Sequence, residues 1–519
     1  MRTIAFTTLL CCIACSVATA QFPKNYRMTA APESNSPQTN GINDILVRND
    51  SLWFGTEKGL DLTLNNGIIW SHYSNVAPFD NKGISAIASN GQIIWAATAF
   101  SVTQDDQNLP AGGGMYYSTD HGQTWQPIAQ PMDTGVVNFT AYGSNQIKTL
   151  AITTTINNLT YDLAVTSSAV WSANFAGMLR KSTNLGASWN VVVLPPDGSP
   201  SQIKKTDTLS FDLAPTSGKA GLIGNLNHRV FSVFASSDSV IWVGTAGGIN
   251  RSTDGGDSWR RFSHQDQLQG ISGNFVVAIN EQRWAARTIV WAATINAESS
   301  DEQRGVSYTE DGGLTWKTTL LGQFAHNIAF RDSLVYVATD GGLYRTSDFG
   351  SSWTRSGSIM DANTLQRFAA PEVYTVGAHG DTVWIGGPEG VAYTLDNGST
   401  PFGTQWKIFR TYEQVGSTGK TYSYPAPFSP DDEVVRIHYS SGGSSSSAPG
   451  SSVTIRIFDF AMQPVRTLIR NAPRSGSMEF DEIWNGTNDA GGRVANGVYF
   501  YRVEVQGSGP VWGKIFVLQ

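Results

Sequence analysis

One short pattern occurs seven times along this chain, and such a repeat constrains the fold to a ring or stack of like units. Each copy opens with a strand built on an aromatic and small residues. The seven are Leu52-Trp53-Phe54-Gly55-Thr56, Ile94-Trp95-Ala96-Ala97-Thr98, Val170-Trp171-Ser172-Ala173-Asn174, Ile241-Trp242-Val243-Gly244-Thr245, Val290-Trp291-Ala292-Ala293-Thr294, Val335-Tyr336-Val337-Ala338-Thr339 and Val383-Trp384-Ile385-Gly386-Gly387. A second strand follows, then a turn and an aromatic. A further strand precedes each copy, as in Asp44-Ile45-Leu46-Val47 and Val373-Tyr374-Thr375-Val376.

The turn reads Ser/Thr-x-Asp-x-Gly-x-x-Trp. Four copies are complete, at Asp120/Trp125, Asp254/Trp259, Asp311/Trp316 and Asp348/Trp353, and two place asparagine at the acid position, Asn65/Trp70 and Asn184/Trp189. The last is stretched: Asp396 is in place, Pro401 stands where the aromatic belongs, and Trp406 arrives late. Asp or Asn can accept bonds from nearby backbone N–H groups and close a tight loop. Glycine admits a positive φ, and tryptophan covers the turn with a large apolar face. Small residues after the strand aromatic let neighbouring sheets approach.

Four short strands per unit, repeated seven times, predict an all-β chain with a seven-bladed β-propeller over residues 41–410. The turn resembles the Asp-box (BNR-like repeat) of propellers such as sialidases, sortilin-type receptors and photosystem II assembly factor-like proteins. The first blade also resembles the sensor propellers of two-component regulators. This resemblance implies that the Asp-box residues sit on the rim and are structural.

After a linker at 411–420, residues 421–519 show strand alternation, Val453/Ile455/Ile457 against Thr454/Arg456 and Tyr499/Tyr501/Val503/Val505 against Phe500/Arg502/Glu504. An immunoglobulin-like β-sandwich is the expected fold. Tyr424-Pro425-Ala426-Pro427-Phe428, Trp484-Asn485-Gly486 and Gly497-Val498-Tyr499-Phe500-Tyr501 resemble the flagellar hook-capping type of Ig-like domain, which serves type IX secretion as a sorting domain when it ends a chain. The resemblance implies a sorting terminus at Lys514, Ile515, Phe516 and Val517, and the secretion machinery as partner.

Residues 1–20 read as a signal peptide: Arg2, an apolar run from Ile4 to Val17, then Ala18-Thr19-Ala20. A secreted or cell-surface location follows, with the periplasm as alternative, and residues 21–40 form an N-terminal segment. Cys11, Cys12 and Cys15 all lie in the leader, so no thiol chemistry is expected of the mature chain. No apolar run after the leader is long enough to span a membrane. A net charge of −7 disfavours a nucleic-acid partner. The seven histidines lack ligand spacing, so neither a metal nor a cofactor is expected.

Catalytic residues are not identifiable. Sialidase chemistry would need an arginine triad and a Tyr/Glu pair, and the Phe-Arg-Ile-Pro motif is absent near the first blade. The remaining signal is loop length. In a four-stranded blade, loops after the second strand share one end with the interblade connections, and Asp-box turns take the other. Long insertions at 99–113, 191–228 and 296–305 are therefore assigned to one end, with Asp105, Asp106, Lys204, Lys205, Glu298, Asp301 and Glu302 as the candidate ligand face. Non-enzymatic recognition of a protein or polysaccharide is the expected function. A glycoside hydrolase and an assembly factor are the alternatives.

Overall fold

The computed structural model describes residues 26–27, 36–73, 79–80, 82–217, 221–368, 370–411, 415–431, 433–442, 451–474 and 479–518. The expected leader, most of the N-terminal segment, Lys219 of the 191–228 insertion and part of the 411–420 linker lie outside these residues.

Among the described residues the regular structure is β, apart from 3-10 turns in the 191–228 insertion, such as Leu226–His228. Sheet one runs Ile42–Arg48, Ser51–Thr56, Gly59–Thr63 and Trp70–Tyr73, four consecutive antiparallel strands. Six further sheets repeat this plan from inner strands Gly83–Ser89, Thr160–Val165, Val230–Ala235, Phe275–Trp284, Ala325–Arg331 and Thr375–His379. Each inner strand packs beside the next, and the last packs beside the first, which closes the circle. This is a β-propeller. Every residue of the second strands Val170–Asn174 and Ile241–Thr245 is buried, because neighbouring sheets cover both faces; that is why these strands read as apolar runs and not as alternation.

The recurring turn does two jobs. In sheet two, Ser118 Oγ donates to Asp120 Oδ1 (2.8 Å) and accepts from the Gly122 N–H (2.8 Å). Thr124 donates its N–H (2.8 Å) and hydroxyl (2.5 Å) to the same carboxylate. Trp125 Nε1 then donates to the Gly122 carbonyl at 3.0 Å. Asn65 and Asn184 accept the same backbone N–H through Oδ1, so the amide serves as well as the acid. In sheet six, bonds from Ser352 and Thr346 hold the Asp348 carboxyl down to about 2.

The tryptophan thus positioned faces the preceding sheet. Trp125 meets Trp53 edge-on at 6.3 Å and 78°, Trp189 meets Trp95 at 6.4 Å and 84°, Trp259 meets Trp171 at 6.3 Å and 82°, and Trp316 meets Trp242 at 6.2 Å and 86°. T-shaped pairs add about 0.5–1.5 kcal/mol beyond their buried area. The small residues of the second strands admit the next sheet: a Cβ on Gly244 would stand 2.7 Å from Val276, and one on Gly386 2.5 Å from Ile42.

Trp353 of sheet six departs from the expectation that each turn tryptophan simply covers its own turn. It is half-buried, and its Nε1 donates to Thr319 Oγ1 of sheet five (2.8 Å) instead of closing on the Gly350 carbonyl. That carbonyl accepts from the Thr319 hydroxyl at 2.6 Å. The cause lies in the neighbouring outer strand. Phe262 of sheet four presses on Gly313 of the next turn, whereas Thr319 takes the corresponding place against Gly350. A hydroxyl there captures both the carbonyl and the indole N–H, so Trp353 is tied across the boundary by a hydrogen bond while its ring packs at the margin of the cluster around Trp291 and Val335.

Sheets one and seven exchange no strand. They are joined by Trp70 against Phe409 (5.5 Å) and Phe54 against Trp384 (5.8 Å). Asn40 donates to the Thr411 carbonyl (3.0 Å) and accepts the Thr411 N–H (2.9 Å), clasping the two ends of the propeller. The seventh turn also departs from the pattern. Asp396 accepts from Tyr336 Oη (2.7 Å) and Arg345 (2.6 Å) of sheet six, while Trp406 takes its carbonyl from Gly403.

Residues 421–518 form two facing sheets. Thr421–Tyr424, Val435–Ser440 and Glu479–Trp484 make one, and Pro464–Arg474, Ser451–Phe458, Gly497–Val505 and Val511–Val517 the other. Ile437, Ile455, Trp484, Tyr501 and Val503 fill the space between. In the final strand Ile515 and Val517 are buried, and Lys514 and Phe516 point outward. Phe428 ties the opening segment to that strand by donating to the Phe516 carbonyl and accepting from the Leu518 N–H. Glu479 accepts the N–H groups of Val415 and Gly416, so this part of the linker is held to the three-stranded sheet. His438 bonds both Glu479 (2.7 Å) and Asp481 (3.0 Å); burial opposes its charge, but the two carboxylates outweigh it and raise the imidazole pKa.

Gly386→Val should destabilise the propeller by about 1–3 kcal/mol through overpacking against Ile42. Urea denaturation followed by tryptophan fluorescence measures it. Gly509→Ala, where no atom lies within 4 Å, is the control and should be neutral.

Candidate recognition site at the channel mouth

Six of the seven inner strands begin with a bulge. The register skips between Ile42 and Asp44, Ile84 and Ala86, Thr160 and Asp162, Val230 and Ser232, Val276 and Ala278, and Ala325 and Asn327. A bulge leaves one residue out of the ladder and re-aims its side chain. The residues left out are Asn43, Ser85, Tyr161, Phe231, Val277 and His326. Tyr374 immediately precedes the seventh inner strand. All seven line one central cavity of about 520 Å³ that runs down the ring of inner strands. Inner strands begin at the end from which the intersheet connections and second-to-third strand turns emerge, so these residues form a collar at that mouth.

The collar has two sides. On sheets three to five, Phe231 packs with Tyr161 (5.1 Å), Phe275 (4.4 Å) and Phe175 (5.9 Å), and Arg229 lies over Phe175. On sheets six and seven, His326 packs with Phe324 (4.7 Å) and Tyr374 (5.4 Å) and bonds Asp340 at 2.6 Å. Tyr161 and Tyr374 keep 38% and 36% of their surface exposed, a large share for tyrosines inside a ring.

Below the mouth, side chains stitch the inner strands together. These strands diverge between sheets and share no ladder, so their facing N–H and C=O groups need other partners. Asp44 accepts the N–H of Ile45 (2.8 Å) and, across the boundary, of Ile87 (2.8 Å). Asp162 accepts from Leu163 (2.8 Å) and, across the next but one boundary, from Val233 (2.9 Å). Asn43 and Asn280 donate to the carbonyls of Ile84 and Ile328. Burial pushes the Asp44 carboxyl up to about 6 against the pull of its two N–H bonds. Burial pushes Asp162 up to about 7, with the charge of Asp44 adding to the effect.

The residues singled out from loop length are not gathered at this collar. Asp105 and Asp106 form the exposed tip of the long hairpin Ile94–Gln104/Gln107–Ser118, both at positive φ. Glu298 and Asp301 lie on the sheet-five loop, where Asp301 pairs with His264 at 3.3 Å. Glu302 is only 7% exposed and accepts from the N–H groups of Asn274 and Ala297 and from the Asn274 and Gln265 amides, so it locks its own loop. The 191–228 insertion does not stay at the mouth. Gln202–Lys204 runs along the outer edge of sheet four, Lys204 opposite Ser258, and Lys205 reaches Asp257 (2.6 Å) in the Asp-box turn. Lys204 and Lys205 therefore stand at the opposite end of the ring, because the insertion pairs with an exposed strand edge.

A sequence signal for the collar existed. Asn43, Ser85, Tyr161, His326 and Tyr374 each stand ten residues before the second-strand aromatic; Phe231 stands eleven and Val277 fourteen before it. Among the described residues no cluster of three or more His, Cys, Asp or Glu is placed to hold a metal ion, and no helix is long and apolar enough to cross a membrane.

A family model for the BNR/Asp-box repeat matches residues 116–127, the end of the third strand, the turn and most of the fourth strand of sheet two. No curated protein matches the sequence. Among solved structures, the chain is similar to YCF48 from Cyanidioschyzon merolae at 16% identity, over 72% of this chain and 100% of that one, with a TM-score of 0.43. It is similar to an ancestral GH74 enzyme at 14% identity, over 94% and 64%, with a TM-score of 0.47. It is also similar to PorZ, a bacterial surface component of the type-IX secretion system of Porphyromonas gingivalis, at 12% identity, over 92% and 87%, with a TM-score of 0.24.

The raised carboxyls give a signed prediction. The folded protein keeps protons on Asp44 and Asp162 that the unfolded chain releases near pH 4. Their contribution to stability is therefore full below that value and is lost as pH rises towards the folded values of about 6 and about 7. Asp162→Asn should make the thermal midpoint fall less between about pH 5 and about pH 8 than it does in the unaltered protein. Parallel pH profiles for the two would contradict this.

Proposed function

We propose that this is an exported, non-enzymatic recognition protein: a seven-bladed propeller that binds a protein or polysaccharide at its channel mouth, carried on an Ig-like C-terminal sorting domain. The bulged collar carries the reading. A repeat fold could bury or omit these side chains, yet Tyr161, Phe231, His326 and Tyr374 converge on one cavity and two of them stay exposed. Rigid strands hold the collar, as a recognition site requires. The channel carboxylates favour binding over hydrolysis. Both oxygens of Asp44 and of Asp162 already accept backbone N–H groups, so the pair serves the ring and is not presented to a glycosidic bond.

For export, the two-sheet sandwich with its outward Lys514 and Phe516 supports the sorting role of residues 514–517. Deletion of 421–519 should then leave a folded propeller in the periplasm, and unchanged delivery to the surface would reject the role.

Binding is tested by applying the full chain and its Phe231→Ala/Tyr374→Ala variant to glycan and peptide arrays. The expected result is a set of ligands that the variant loses while its thermal midpoint stays within a few degrees of the original. Ligands kept by the variant, or cleavage of chromogenic glycosides by the unaltered chain, would contradict the proposal.

A further inference from the structure

The two sides of the collar differ in charge. The side on sheets three to five is apolar around Phe231 and carries Arg229. The side on sheets six, seven and one carries Asp340 beside His326, Glu372 two residues before Tyr374, and Glu57 in the second-to-third strand turn of sheet one. Burial first, and then the charges of Glu372, Asp340 and Glu57, hold the Tyr374 phenol above its ordinary range; Asp340 reaches this group through His326, which bonds its carboxylate and packs on the Tyr374 ring. No ion pair among the described residues engages Glu57 or Glu372, and the basic group nearest in sequence, Lys58, is exposed to solvent. An aromatic face flanked by carboxylates suits a planar cation, which stacks on the ring and takes bidentate bonds from the acids.

Resting on the recognition reading above, we propose that the collar binds a polypeptide segment carrying an arginine, the guanidinium seated between Tyr374 and the carboxylates of Glu372 and Asp340, and a neighbouring apolar side chain against Tyr161, Phe231 and Phe275. Arginine is favoured over lysine because its flat, weakly hydrated head can stack and fork at once. The cavity of about 520 Å³ accommodates several side chains, so the segment enters the mouth and does not lie flat across it.

The test uses the full chain and a fluorescein-labelled Ala/Gly decapeptide with adjacent leucine and arginine, followed by anisotropy. A second peptide replaces arginine with citrulline, which keeps shape and loses charge. The arginine peptide should bind at least about tenfold more tightly, the cost of losing one charge-assisted contact. Glu372→Gln should erase that difference, and added salt should shrink it. Phe231→Ala should weaken both peptides alike. Equal binding of the two peptides, preference for a glutamate version, or no binding of either at about millimolar concentration overturns the inference. The parent reading fails separately: collar-dependent binding of a glycan with no arginine preference would keep the site and discard this ligand, whereas insensitivity of every ligand to Phe231→Ala would discard the site itself.

Discussion

The boundaries between blades depend on a tryptophan shared by two sheets. Trp125, Trp189, Trp259 and Trp316 belong to the outer turn of one sheet and pack edge-on against the second-strand tryptophan of the sheet before it. The Asp-box is the device that places them. Its hydroxyl and carboxylate bonds fix the loop, and its glycine presses on the neighbour: a Cβ at Gly122, which has a φ of +85°, would stand 2.4 Å from the Trp53 ring. Glycine is needed there for its backbone and for its missing side chain together. At the last two sheets the device is altered and the linkage kept. Trp353 reaches sheet five through the Thr319 hydroxyl. Asp396 leaves its own turn to satisfy Tyr336 and Arg345 of sheet six, so the carboxylate links the sheets directly.

Because the outer and middle strands take up the packing between sheets, the inner strands are free to diverge around a channel. Their divergence strands backbone groups, and the chain answers with Asp44, Asp162, Asn43 and Asn280. It also allows a bulge at the start of most of these strands, which turns a side chain into the mouth without disturbing the blade. The two features are separated along the strands that carry both: Asp44, Asp162 and Asn280 stitch neighbouring strands below the mouth, the bulge residues form the collar above, and the Asp-boxes that join the blades lie at the far end.

The repeat, the turn chemistry and the alternation in 453–457 and 499–505 were legible in the sequence because each follows a local period. Partners across a sheet boundary were not: the Trp353 motif is complete in sequence, and only the Thr319 hydroxyl on the neighbouring sheet gives its indole N–H a partner there. The collar was harder still to see. A bulge depends on pairing between strands, and its residue type changes from Asn43 to Tyr161 to His326, so only a spacing of ten residues to the next aromatic, kept at five of the seven positions, betrays it. Loop length misled where packing intervened. Lys205 is carried to the far end because Gln202–Lys204 finds a strand edge to pair with, and Glu302 is drawn inward by the N–H groups its loop must satisfy. Charge in a long loop does not distinguish a ligand contact from a loop lock; burial does.

The shared-tryptophan claim is tested most directly by a double-mutant cycle on Trp171 and Trp259, each changed singly and together to leucine, with unfolding free energies from urea titrations. The account predicts a favourable coupling of about 0.5–1.5 kcal/mol between the two rings. Strictly additive losses would show that the rings stabilise their own sheets independently, and would contradict the view that an Asp-box tryptophan holds its blade to the one before.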